Sequence, residues 1–276
     1  MSGPLGASQY MYSSGSSGVY SHQIEQSARF DRDDNSRLTR TFGTPSSDQK
    51  FTLSFWLKRG QSCEQIDGET GDAMIIMCKA NGVDGSGAAI YISNYRTNFI
   101  EQLDLYGFGV NSGNTMTTDN SFRDHAAFNH FVFQYDTTQS TDSDRQRFYL
   151  NGNQLNLSGG THPNQNSNLS RFNDASAHTI GSAGAGNNSF DGYIAEMVFT
   201  DGQSYAPTNF AESSNGVWVP KDPSGLTFGN NGFYLKFGNA SDLGEDSSGN
   251  DNDFTVANLA AGDVSIDTPT AGAGSG

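Results

Sequence analysis

Phe51, Leu53, Phe55 and Leu57 alternate with Thr52, Ser54, Trp56 and Lys58. Side chains along a strand point alternately to opposite faces, so this period of two predicts a β-strand with one face in a core. The period returns at Gln26, Ala28 and Phe30, at Leu38, Arg40 and Phe42, and at Phe131, Phe133 and Tyr135. A polar turn at Asn187–Gly192 runs into a further strand. Tyr193, Ala195, Met197 and Phe199 are expected on one of its faces, and Ile194, Glu196 and Val198 on the other. Thr200-Asp201-Gly202 then ends it as a turn. Ala73–Cys78 is apolar throughout and reads as a central strand. Shorter strands are expected at Ile90–Ile92, Leu103–Val110 (Gly107 and Gly109 marking a bulge), Val217–Pro220, Phe233–Phe237 and Phe254–Val256. Arg145–Leu150 and Asn153–Leu155 flank Asn151-Gly152, the pair that best tolerates the positive φ values of a tight hairpin. One helical turn is expected near Ala206–Ser213, opened by Pro207.

Roughly twelve short strands, long loops and no helix of ten residues predict an all-β fold, a two-sheet antiparallel jelly-roll sandwich. The Ser/Gly/Tyr-rich residues 1–25 carry no period and read as an extended N-terminal arm. The sandwich is expected over 26–268, with a loose tail over 269–276. No repeat of fixed period occurs, which disfavours a propeller or solenoid.

Composition sharpens this. The 19 Phe and 11 Tyr supply a large aromatic core, and the 33 Gly supply turns. The net charge of −15 argues against nucleic acid and anionic membranes as partners. No apolar run is long enough to span a membrane, and Met1–Gly6 lacks the basic and apolar parts of a secretory signal. Cys63 and Cys78 make neither a disulfide framework nor a zinc site, and reduced thiols are expected.

Three kinds of chemistry have candidate residues in this sequence. Glycoside hydrolysis needs two carboxylates across a groove. The nearest cluster, Glu64, Asp67 and Glu69, lies in a glycine-containing polar loop and reads as solvated, so no enzyme is expected. Calcium takes six to eight oxygens. Its candidate ligands are Asp31, Asp33 and Asp34 in one turn, and Asp246, Asp251 and Asp253, flanked by Asp242 and Glu245, in another region. Asp and Asn also form turns by bonding their own backbone, which is the favoured reading. No other cofactor is expected. Glycan-binding groups are offered by loops with Asn164, Asn166, Asn168, Tyr91, Tyr95 and Tyr106, without singling out a ligand. Glu196 stands out as a carboxylate between Ile194 and Val198 and should have a structural partner such as an arginine or a backbone amide. The sequons at Asn156, Asn168, Asn187 and Asn239 follow from composition.

Several stretches resemble laminin-G/concanavalin A-like lectin domains. Phe51–Lys58 resembles the family's "F-T-x-S-x-W-x-K" strand, and Asn129–Asp136 its "W-H-H-x-x-x-x-Y-D" strand, with Asn129 where an aromatic or histidine stands. Phe148–Gly152, Ile180-Gly181 and Phe190–Glu196 complete the set. Val217–Pro220, Gly229–Leu235 and Asp246–Phe254 resemble laminin-G-like virion proteins of environmental, often marine, bacteriophages. The Asp246–Asp253 run precedes the first core strand in ordinary members and here follows the last, which resembles a circular rearrangement. The resemblance implies a non-enzymatic structural protein of a phage virion, assembled in the host cytoplasm. It would be displayed on capsid or tail, with other virion proteins, copies of itself and host surface glycan as partners. Host-recognition lectin is the alternative, and glycoside hydrolase comes last.

Overall fold

The computed structural model describes residues 20–61, 73–79, 87–93, 101–111, 113–122, 124–168, 171–184 and 188–271. Glu64, Asp67, Glu69, Cys63, Tyr95, Asn187, most of the expected arm and the end of the expected tail lie outside them. Eighteen strands occur among the described residues, all paired antiparallel. They are β1 (Ser27–Phe30), β2 (Arg37–Thr41), β3 (Lys50–Arg59), β4 (Ala73–Lys79), β5 (Ala89–Ser93) and β6 (Gln102–Tyr106). Next come β7 (Thr115–Thr118), β8 (Asn129–Asp136), β9 (Gln146–Leu150), β10 (Asn153–Leu155), β11 (Leu157–Ser158) and β12 (Ala177–Ile180). The rest are β13 (Gly192–Asp201), β14 (Ala211–Ser214), β15 (Val217–Pro220), β16 (Phe233–Leu235), β17 (Thr255–Ala257) and β18 (Val264–Ser265).

The front sheet runs β10-β9-β8-β3-β13-β1-β18, with β16 also pairing β13. The back sheet runs β11-β7-β6-β5-β4-β12-β2-β17. This is the two-sheet jelly-roll sandwich expected from the alternation. The main core lies between the sheets. Phe51, Leu53, Phe55 and Leu57 of β3 meet Met74, Ile76, Ile90 and Leu105 of the back sheet there. Phe51 is stacked with Tyr135 and Phe172 and packs at an angle against Phe133 and Phe199.

The other face of β3 is also buried. Thr52, Ser54 and Trp56 lie under a hairpin of β14 and β15 and the chain around it. Phe210, Phe228 and Tyr234 pack on Val132 and Val198, while Ala211 and Trp218 pack with Trp56 and Ile24. The helical turn is a single 3₁₀ turn at Pro207–Asn209, and the chain then enters β14. Val217–Pro220 therefore belongs to a covering hairpin and not to either main sheet.

Asn151 and Gly152 take φ of 48° and 79° and close the β9–β10 hairpin. Gly107 (φ 78°) turns the chain after β6, so the expected strand stops at Tyr106. The Asp246–Asp253 run leads into β17, which pairs with β2 at the back edge, while β18 pairs with β1 at the front edge. Ile24 N–H donates to Thr270 Oγ1, whose hydroxyl donates back to Ile24 O, so both ends of the described chain meet at one edge.

Candidate functional site

β13 does not keep its alternation. Ala195 pairs with Trp56 and Val198 with Ser54, so β13 carries one residue more than β3 over this interval. That extra residue is a β-bulge, which bends a strand and re-aims side chains. Glu196 sits in it with φ of 44°, a left-handed conformation uncommon for any residue with a Cβ. The bulge corrects the expected faces. Ile194, Met197 and Phe199 point into the main core, whereas Tyr193 is half-buried on the outer face beside Arg29 and Lys58. Neighbours also change at this point. β1 pairs with β13 over Gly192–Ile194 and β16 over Met197–Phe199, leaving the bulge opposite the gap between them.

The segment before β1 closes one side of that gap. His22 Nε2 lies 2.5 Å from Glu196 Oε1, and the Tyr234 hydroxyl of β16 donates to the same oxygen. Among the described residues no hydrogen bond reaches Oε2, which is left to a cleft of about 300 Å³. Gln23, Glu25, Gln26 and Lys236 complete its wall. The Lys236 ammonium lies 4.9 Å from the Tyr234 ring centroid. The bond to Glu196 raises the His22 pKa, against the opposing effect of burial. Burial, then the neighbouring Glu196 carboxylate, push the Tyr234 phenol upward, so it stays a donor. The partners of Glu196 are thus a histidine and a tyrosine, not the arginine or backbone amide expected. Strain of this kind persists only where the surroundings hold it and clusters at ligand sites. The arrangement offers a fixed carboxylate acceptor beside amide and ammonium donors, which is chemistry for polyol hydroxyls.

The residues anticipated for glycan are divided. Asn164 and Asn168 share a small cleft of about 100 Å³ with Tyr135, Ser167 and Arg171 at one end of the sandwich. Asn166, on the same loop, has φ of 57° and donates its N–H to Thr137 O. The Tyr135 ring is almost fully buried, so it provides no stacking platform. Tyr91 and Tyr106 pack elsewhere, with Ile75 and Cys78 on the outer face of the back sheet.

The calcium candidates act within the chain. Asp31 Oδ1 accepts Asp33 N–H, as in an Asx turn. Asp34 is exposed in the same turn. Asp246 accepts the N–H groups of Tyr234, Ser248 and Asn252, and Asp253 accepts that of Asp246. Asp251 is exposed with φ of 55°. Among the described residues no three His, Cys, Asp or Glu converge as a metal site. Asp246 and Asp253 are thus oriented by backbone donors, as Asp31 is by the Asp33 N–H.

Residues 31–203 match the concanavalin A-like lectin/glucanases superfamily, and the chain belongs to it. No curated protein matches the sequence. Among solved structures, one from Bacteroides ovatus ATCC 8483, provisionally described as carbohydrate-binding, is similar at 15% identity and a TM-score of 0.56. The similarity covers 90% of this chain but 62% of that one. The heptameric SAP-like pentraxin of Limulus polyphemus is similar at 12% identity and a TM-score of 0.44, over 67% of this chain and 80% of that one. Tailspike protein 2 of an Escherichia coli O157:H7 bacteriophage is similar at 13% identity and a TM-score of 0.42, over 64% of this chain and 22% of that one. At 15% identity the likeness to the Bacteroides ovatus structure is one of fold.

Proposed function

We propose that this chain is a non-enzymatic, lectin-like module displayed on a bacteriophage particle, binding a hydroxyl-rich host surface glycan in the Glu196 cleft. The observation that supports binding is Glu196 itself. A carboxylate held in a left-handed bulge by Tyr234 and His22 keeps one oxygen toward a cleft lined by Gln23, Gln26 and Lys236. The phage setting draws support from the resemblance of Val217–Pro220, Gly229–Leu235 and Asp246–Phe254 to virion proteins. In this reading residues 1–19 fasten the module to capsid or tail proteins, or to sister copies, because His22 to Glu25 already belong to the sandwich and its cleft. An extended segment can do so by lying along a partner or adding a strand to its sheet.

Hydrolysis is the second reading, because Glu25 also lines the cleft. Glu25 is exposed at the rim of the cleft, whereas Glu196 is buried and already bonded by Tyr234 and His22. Bacterial surface polysaccharides arrayed against the protein and its Glu196→Gln variant separate the readings. Binding without sugar release, lost in the folded variant, supports the proposal. Release of reducing ends that needs Glu196 overturns it in favour of hydrolysis. Removal of residues 1–19 keeps His22 and Ile24. The expected outcome is an unchanged melting temperature with loss of particle incorporation, and normal incorporation refutes the role given to the arm.

A further inference from the structure

β16 ends at Leu235, and the chain then turns through Phe237 at φ of 58°, a left-handed conformation rare for a bulky side chain. The turn sends the Phe237 ring into the main core and leaves Lys236 and Gly238 exposed on either side of it. Lys236 forms a wall of the Glu196 cleft. It also lines a second cleft of about 260 Å³, together with Gly238, Asn239, Asp242, Glu245 and Ser247. The two clefts touch at another point. Gln26 belongs to the first and Gly238 to the second, and a Cβ on Gly238 would lie 3.2 Å from Gln26 Oε1.

The second cleft is polar. Asn239 Oδ1 accepts Ser241 N–H, but no hydrogen bond among the described residues engages its amide nitrogen, the Ser247 hydroxyl or the Glu245 carboxylate. Asn239, Glu245 and Ser247 are all exposed, so these groups are within reach of a ligand. Ligand sites commonly measure roughly 300–1,000 Å³. Either cleft alone lies at the low end of that range or below it, whereas the pair together falls well inside. Carboxylates dominate the walls. Glu25 and Glu196 stand in one cleft and Asp242 and Glu245 in the other, against Lys236 and His22.

We propose that the two clefts form one groove, which takes a run of several uncharged sugar units lying across Lys236. This rests on the glycan-binding reading of the Glu196 cleft and deepens it. One unit faces Glu196, the next crosses between the Lys236 ammonium and the Gln26 amide, and a further unit meets Asn239, Glu245 and Ser247. Hydroxyls recur along such a chain and can both donate and accept. The carboxylates accept from them, and the ammonium and the amide nitrogens donate to them. A chain bearing carboxylates or sulfates is disfavoured, because the wall carboxylates and a net charge of −15 repel it. A single sugar fills one cleft only and leaves the other in water.

The bacterial surface polysaccharide bound best on the array supplies the probe, cut by mild acid and sized into chains of one to six units. Titration calorimetry should show chains of three or more units binding at least tenfold more tightly than the one-unit fragment. Ser247→Trp and Glu245→Trp each fill the second cleft from an exposed position. Either should erase that gain and bring long chains down to the affinity of the shortest, with the melting temperature held as the check on folding. Glu196→Gln should weaken every length. Affinity independent of chain length, or a gain that survives in either folded tryptophan variant, overturns the joined groove. If Glu196→Gln still abolishes binding, the Glu196 cleft then stands as a one-unit site. Binding of acidic polysaccharides alone overturns the choice of an uncharged chain. Binding of no polysaccharide, or binding unaffected by Glu196→Gln, removes the glycan-binding reading itself and this proposal with it.

Discussion

His130 should make the fold acid-sensitive by itself. Trp218 Nε1–H donates to its Nδ1 at 3.0 Å, so the imidazole proton sits on Nε2, 2.8 Å from Ser54 Oγ. The ring stacks on Trp56 with centroids 4.7 Å apart, and complete burial pushes its pKa down to about 3. The unfolded chain binds this proton near pH 6.5, so between about 6.5 and 3 the unfolded state holds more protons. Stability therefore rises with pH across that window and is lost as pH falls through it. From pH 7 to pH 5 the loss comes to about 2 kcal/mol for this one residue. Other groups titrate over the same range, so the comparison must be with a variant. His130→Asn retains a side-chain polar group but cannot take up the proton. Urea unfolding at pH 7, 6 and 5, at constant ionic strength, gives the stability difference between the two proteins. That difference should shrink by about 2 kcal/mol from pH 7 to 5, because only the histidine protein has this liability. A difference that stays constant over the range refutes a neutral, buried His130.

His22 has the opposite sign. Its pKa is raised by Glu196, so its stabilisation is full below pH 6.5 and fades as pH rises through the folded value. Proteolysis near residue 20 should accordingly quicken toward pH 9 in the native protein and show no such pH step in His22→Ala. Gly152→Ala should destabilise by about 1–3 kcal/mol in urea titrations. A Cβ there would lie 2.7 Å from Trp218 Cη2, at a φ of 79° that disfavours side chains. Asp201 accepts from Ser46 N, Ser47 N, Asn173 Nδ2 and Asn231 N, so Asp201→Ala strands four donors. At roughly 1–3 kcal/mol for each donor left buried, the loss should reach about 4 kcal/mol by the same assay. Asp31, Asp246 and Asp253 bond backbone N–H groups of their own turns, so melting with and without EDTA should coincide; a downward shift with EDTA refutes a purely structural role for them.

Much of the scaffold can be read from local pattern. β3 and β8 alternate cleanly because one face of each meets an apolar core, and Asn151-Gly152 marks its hairpin because few residues accept two positive φ values. β7, β11 and β18 escaped notice. They are two to four residues long, and β11 and β18 pair with strands distant in the sequence. The faces of β13 were misassigned for a single reason, the added residue at Glu196. The one visible sign was a carboxylate in an apolar run, and its conformation depends on neighbours. His22 is 174 positions away from Glu196, beyond the reach of any periodicity.

The clamp between Ile24 and Thr270 decides how the molecule would respond to force. A pull on the chain before residue 20, directed along β1, reaches the strand after the Ile24 backbone bonds to Thr270. Its ladders to β13 and β18 run across that direction. Such a tug shears several bonds together instead of peeling them singly. A tether at this end would meet a high rupture force, whereas one drawn from the β9–β10 hairpin would unzip the opposite edge of the front sheet.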